Sequence, residues 1–218
     1  MKVFPAGLIV EGKHCVVIGG GKVAARKAAA LADAGALVTV VAESFCRELA
    51  EYEGAECIEA SYAGEYLQGA FLVVAATDDG EVNSRAARDA RAAGALVNVV
   101  DTPGECDFIF PAIARKGDVQ AAVSTGGASP ALARRLKEEI QGSFDEAYGE
   151  LAAVLKVIRP RAMESITDAS ARREFLERLA SDEFLAVVKS RGAQGALAAA
   201  EELLEDAAAD AGERASGP

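Results

Sequence analysis

The segment HCVVIGGGKVAARKAAALADAGALVTVVA, residues 14–42, constrains the fold more than any other stretch of the chain. An apolar run ends in Gly19, Gly20 and Gly21, and a long alanine-rich run follows before the next β-branched cluster. A strand that passes into a helix through glycines allows a tight turn. It also leaves the first helical amides open to an anion. Gly19, Gly21 and Ala24 fall on the G-x-G-x-x-G/A spacing. At the head of a strand–helix–strand unit, that spacing predicts a dinucleotide whose pyrophosphate rests on the helix N-terminus. The motif recurs by chance in alanine-rich chains, so its weight comes from this context.

The same alternation continues. LVTVVA reads as a second strand, SFCRELAEYEG as a helix, ECIEASY and FLVVAATDD as two further strands, EVNSRAARDARAAG as a helix and ALVNVVD as a fifth strand. Strands that are mostly apolar rather than alternating, in the order β-α-β-α-β-β-α-β, predict an α/β, Rossmann-like doubly wound parallel sheet covered on both faces. After Pro111 the rhythm changes. AIARKGDVQAAVST reads as two strands joined at Lys116-Gly117-Asp118. A helix follows, with Ser129 as N-cap, Pro130 in its first turn and Gly142 beyond its end. The capping box from Ser143 to Glu146 predicts a helix to about Ile158, stopped by Pro160. TDASARREFLERLA, SDEFLAVVKS and GALAAAEELLEDAAA give three shorter helices. The expected division is a nucleotide-binding domain over 1–113, a small strand-helix segment over 114–147, a helical domain over 148–208 and a disordered tail over 209–218.

Charge excludes some functions. With a formal net charge of -11, the chain repels nucleic acid and anionic membrane. Cys15, Cys46, Cys57 and Cys106 show no metal-ligand spacing, and the single histidine, His14, has no ligand-type neighbour, so no metal site is expected. The opening MKVFPAGLIVEGKHC does not read as a leader peptide, and no run reaches membrane-spanning length. A cytoplasmic protein with reduced thiols is expected.

Three strand ends carry candidate groups. The acid that would hold a ribose should lie about 20 residues past the glycines. The first acid there is Glu43, a residue or two late, which favours NAD over NADP moderately. Thr77, at the end of the fourth strand, lies near the cofactor. Asp78 and Asp79 read as caps of the next helix. Asp101 ends the fifth strand in VNVVDTPGECDFIFPA. There it either caps the turn before Thr102-Pro103 or faces a ligand. Asn98 has opposite side-chain parity, Asp107 reads as a turn residue in preference to a second acid, and Cys106 near Asp101 does not by itself make a metal thiolate site.

VVIGGGKVAARK, VTVVA, VVAATDDGEVN, NVVDTPGECDFIFPA and VSTGGASPALARRLKEEI together resemble the precorrin-2 dehydrogenase family, which forms sirohydrochlorin in sirohaem synthesis. The resemblance spans about residues 1–141. Its specific part is the pairing of the NVVD and STGG blocks, because the glycine turn is shared by many nucleotide binders. It implies an NAD-dependent oxidation of precorrin-2, with Asp101 matching the family's catalytic aspartate. Lys22 and Val23, and Glu43 and Ser44, then line the dinucleotide. In some relatives the same protein goes on to insert ferrous iron. The family also implies a homodimer joined through the segment after Pro111. The polycarboxylate substrate needs local positive charge, which Arg115, Lys116, Arg134, Arg135 and Lys137 could supply, with Ser124, Thr125, Gly126 and Gly127 as donors beside a helix N-terminus. The bland alternative is a solvated helix face. An alternative from another class is a module that senses NAD or NADH without turnover, since fold alone does not fix function.

Overall fold

A computed structural model of the chain describes residues 2–216, with side chains to Ala211. The chain divides into two compact units, with the boundary between Phe110 and Pro111. The expected boundary after 113 falls inside a strand, because the hairpin that begins at Ala112 packs with the helices that follow it. The segments expected as 114–147 and 148–208 lie in one unit.

The first unit is a five-stranded parallel sheet in the order β3-β2-β1-β4-β5. Its strands are β1 (His14–Ile18), β2 (Leu37–Ala42), β3 (Glu56–Glu59), β4 (Leu72–Ala75) and β5 (Leu96–Val99). Alternate strand residues enter opposite cores. Val16, Ile18, Val73 and Val97 pack with Ala86, Ala87 and Ala90 of α3 (Gly80–Ala92). Cys15, Val17, Val40 and Val74 pack with Ala24, Ala28 and Leu31 of α1 (Lys22–Ala32). The alanines on these two helices let each backbone lie close to the sheet. A short helix, α2 (Arg47–Ala50), follows β2. Strand order reverses between β1 and β4, the switch point outside which such sheets bind their ligands.

The second unit opens with the antiparallel hairpin β6 (Ala112–Lys116) and β7 (Val119–Val123), turned at Gly117-Asp118. Four helices follow: α4 (Pro130–Ser143), α5 (Glu146–Ser165), α6 (Ala169–Leu179) and α7 (Asp182–Ser216). Ser129 caps α4 as expected, accepting from the Leu132 amide at 3.1 Å. Gly142 lies within α4 rather than beyond it. The cap of α5 is Asp145, not Ser143, which is the last residue of α4. Pro160 does not stop α5. It sits on the exposed side, so its missing amide is lost toward solvent, while Ile158, Ala162 and Ile166 are completely buried on the other side. The last two of the three predicted helices are the arms of α7, separated at Gly192, whose φ of 66° breaks the helix. The expected tail 209–218 is corrected as well. An alanine-rich run continues α7 to Ser216, and Ala211 is buried; 217–218 lie outside the described residues. Among the described residues, no helix is long and apolar enough to cross a membrane.

Candidate active site

The carboxyl ends of β1, β2, β4 and β5 bring together the residues singled out in the first unit. Each glycine of the turn after β1 has a separate reason to be there. Gly19 has φ 125°, and a Cβ on it would meet the Ala76 carbonyl oxygen at 2.5 Å. A Cβ on Gly20 would lie 1.8 Å from the Ser44 carbonyl oxygen, and the Gly20 carbonyl accepts from the Cys46 amide at 2.7 Å. These two positions weld the turn to the ends of β4 and β2. Gly21 differs: its Cβ would meet nothing within 4 Å. It is the N-cap of α1, and no side chain bonds the first amides of that helix. An open approach to uncapped helical N–H groups suits a phosphate. The residues present therefore fit a dinucleotide pyrophosphate.

Glu43 and Ser44 directly follow β2 and are exposed. The Glu43 carboxylate accepts from Ser61 Oγ at 2.6 Å, which fixes it at the ends of β2 and β3. The nearby cations are engaged: Lys22 pairs with Glu48 at 3.7 Å, and Arg47 with Glu51 at 2.8 Å. Thr77 donates from Oγ1 to Asn83 Oδ1 at 2.8 Å, and Asn83 returns a bond to the Thr77 carbonyl at 3.0 Å. Asp79 caps α3, accepting from the Glu81 and Val82 amides.

Asp101 lies just past β5, in a turn closed by the Thr102 amide on the Val99 carbonyl at 3.3 Å. Its φ of 58° makes it the single non-glycine residue with positive φ among those described. That backbone is ordinarily left to glycine and, less often, asparagine or aspartate, and it disfavours an L side chain by about 1–2 kcal/mol. The carboxylate is exposed and, among the described residues, accepts no hydrogen bond and joins no ion pair. The turn-capping role weighed for it therefore has no bond to support it. The other acids of this edge do have partners: Glu43 with Ser61, Asp79 with α3, Glu105 with Ser84, and Asp107 with Arg91 and Val97. Asp78 shares the lack of a partner and is likewise exposed, in the β4–α3 turn, but does not share the positive φ. With strands about 4.8 Å apart, β5 lies roughly 10 Å from β1. That is a reach suited to a reactant beside a dinucleotide.

Residues set aside as structural behave so. Asn98 is buried and donates to the Phe108 carbonyl at 2.9 Å. Cys106 Sγ lies 3.3 Å from the Val99 amide. His14 meets Thr39 Oγ1 at 3.1 Å. Sequence reasoning missed Lys27. Its Nζ sits 3.6 Å from the Phe110 ring centroid, and burial lowers its pKa to about 8, with Arg26 adding to the fall and Cys106 opposing it. The signal was available, because Ala24, Lys27, Ala28 and Leu31 form one helical stripe in which only the lysine is charged.

The residues proposed for substrate carboxylates all belong to the second unit. Arg115 lies on β6, Arg134 on α4, and Ser124, Thr125, Gly126 and Gly127 between β7 and α4. Thr125 Oγ1 is committed to Ser129, donating to its carbonyl and accepting from its amide, both at 3.1 Å. Ser124 Oγ accepts from the Gly126 amide at 3.2 Å and keeps its proton to donate. Lys116 is paired with Glu146 and Arg135 with Glu139, whereas Arg115 and Arg134 have no ion pair among the described residues. Nor, among those residues, do three His, Cys, Asp or Glu side chains gather as a metal ion would require.

Three family models match in succession: a putative NAD(P)-binding domain over residues 7–112, the sirohaem biosynthesis protein central region over 116–143, and the sirohaem synthase dimerisation region over 147–207. The chain is 42% identical over 213 residues to a siroheme synthase of Nitrosospira multiformis, covering 94% of this chain and 45% of that protein. It is 41% identical over 219 residues to one of Ectopseudomonas mendocina, covering 100% and 46%. The chain thus spans under half the length of these curated relatives. A solved structure described as SirC, precorrin-2 dehydrogenase superposes with a TM-score of 0.71 at 26% identity, covering 92% of this chain and 100% of that one.

Proposed function

The chain belongs to the sirohaem synthase family, and from that premise we propose that it oxidises precorrin-2 to sirohydrochlorin with NAD as acceptor. The observation that carries this reading is Asp101: a strained, exposed carboxylate with no structural partner among the described residues, on the same sheet edge as an open glycine turn.

NAD bound at that turn would supply the acceptor for the hydride that leaves the tetrapyrrole. Gly21 and the uncapped amides of Lys22 and Val23 hold the pyrophosphate, and Glu43 takes the ribose hydroxyls. A carboxylate at the ribose position, Glu43, accepts from hydroxyls and repels an added ribose phosphate, which favours NAD over NADP. Asp101 accepts the proton that must leave the ring once the hydride has gone, directly at about 3 Å or through a water. A carboxylate without a protein partner among the described residues is ready for that task, since only solvent has to be displaced first. Ser124 and Gly127, with Arg115 and Arg134, offer donors and charge to the substrate's carboxylates. We also infer a homodimer joined through the second unit, from the dimerisation model that matches there.

The test is to mix the purified chain with precorrin-2 and NAD without oxygen and follow NADH and sirohydrochlorin together. Equimolar appearance of both is expected. NAD binding without turnover would instead indicate a sensor. Ferrous iron insertion is a separate activity, scored by adding ferrous ion to the same mixture.

A further inference from the structure

β5 is an edge strand, and its free side is covered by the chain that follows it. After Asp101 the backbone reverses through a 3₁₀ turn at Pro103–Glu105 and runs back along β5. Asp107 exchanges two bonds with Val97: its amide donates to the Val97 carbonyl at 2.8 Å, and its carboxylate accepts from the Val97 amide at 3.0 Å. Cys106 and the Phe108 carbonyl engage Val99 and Asn98. These contacts close the sheet edge. A second set comes from α3. Ser84 Oγ donates to Glu105 Oε1 at 3.1 Å. Arg91, seven residues further on the same helix face, donates from Nη2 to the Glu105 carbonyl at 2.7 Å and from Nε to Asp107 Oδ1 at 3.2 Å.

We propose that Arg91 is a positioning residue for Asp101, fixing the returning loop to α3 so that the turn keeps the acid in its left-handed conformation. The inference rests on the reading of Asp101 given above. A non-glycine residue stays in that region only when its surroundings over-determine it. Arg91 supplies two of the contacts that do so, from an element outside the turn. Its planar fork spans a carbonyl and a carboxylate at once, which a lysine cannot match. Arg91 is also separable from the strand. Removing Asp107 would unpair the Val97 amide and disturb β5, whereas Arg91 makes no bond to β5 itself.

Arg91→Gln in the full chain is expected to lower kcat by about 10–100-fold, the effect of a small misplacement of a reacting group, while KM for NAD stays unchanged. Arg91→Lys should recover part of the loss. A measurement independent of turnover accompanies these: Asp101→Gly removes the strained side chain and should raise the denaturation midpoint of the parent chain, and should raise it by less in the Arg91→Gln background, where the turn is free to relax. Unchanged kcat in Arg91→Gln beside an inactive Asp101→Asn, or an equal midpoint gain in both backgrounds, would overturn the inference. Full activity of Asp101→Asn would instead remove the reading on which it rests.

Discussion

At the scale of single residues, the glycine turn separates folding from binding. Gly20→Ala drives a methyl into the Ser44 carbonyl and should destabilise the first unit by about 1–3 kcal/mol in a denaturant titration. Gly21→Ala, whose methyl meets nothing within 4 Å, should fold with the parent's stability and bind NAD more weakly in calorimetry, because that methyl takes up open space at the helix N-terminus where the proposed pyrophosphate sits. Equal NAD affinity in Gly21→Ala would move the pyrophosphate elsewhere. Lys27 gives a pH signature with a defined sign. Below about pH 8 the folded and unfolded chains both carry its proton, and the folded chain bears the full burial penalty. Between about 8 and its ordinary value of 10.5, only the unfolded chain keeps that proton, so stability contributed by this group rises with pH. Lys27→Met should therefore stabilise the chain at about pH 7, with a gain that shrinks at about pH 10. The place of the glycines and of Asp101 at strand ends was legible in the sequence because strand–turn chemistry is local, whereas the role proposed for Asp101 came from the family resemblance. The positive φ of Asp101, the role of Arg91 and the environment of Lys27 were not, since each depends on contacts between elements distant in the chain.

At the scale of elements, the five strands and their succession along the chain were legible because a doubly covered sheet needs mostly apolar runs, and those of β1, β2, β4 and β5 stand out between the helices, whereas the order of the strands within the sheet depends on pairing between segments distant in sequence. Helix ends were less legible. Ser143 and Glu146 match a capping box, yet Asp145 caps α5, and three polar residues within four positions offered no local basis for choosing. Pro160 was read as a stop because propensity is local, whereas the buried face on both sides of it is set by tertiary packing. Its cost should remain measurable. Pro160→Ala restores an amide inside α5 and is expected to stabilise the second unit by about 1–3 kcal/mol by thermal unfolding, an outcome that a kink required for packing would reverse.

At the scale of the whole molecule, the polycarboxylate substrate proposed above requires an acidic chain to concentrate its positive charge locally. Arg134→Glu should raise KM for precorrin-2 about tenfold while leaving NAD affinity unchanged, and the parent's KM should rise with ionic strength. A KM indifferent to both changes would assign that arginine to an ordinary solvated face. The central claim is that Asp101 takes the proton when precorrin-2 is oxidised. Its most direct test is steady-state turnover of Asp101→Asn with precorrin-2 and NAD, with NAD affinity measured on the same sample. The account predicts parental NAD binding and turnover reduced by at least about 100-fold, the scale of a lost general base. Parental turnover in that variant would contradict it.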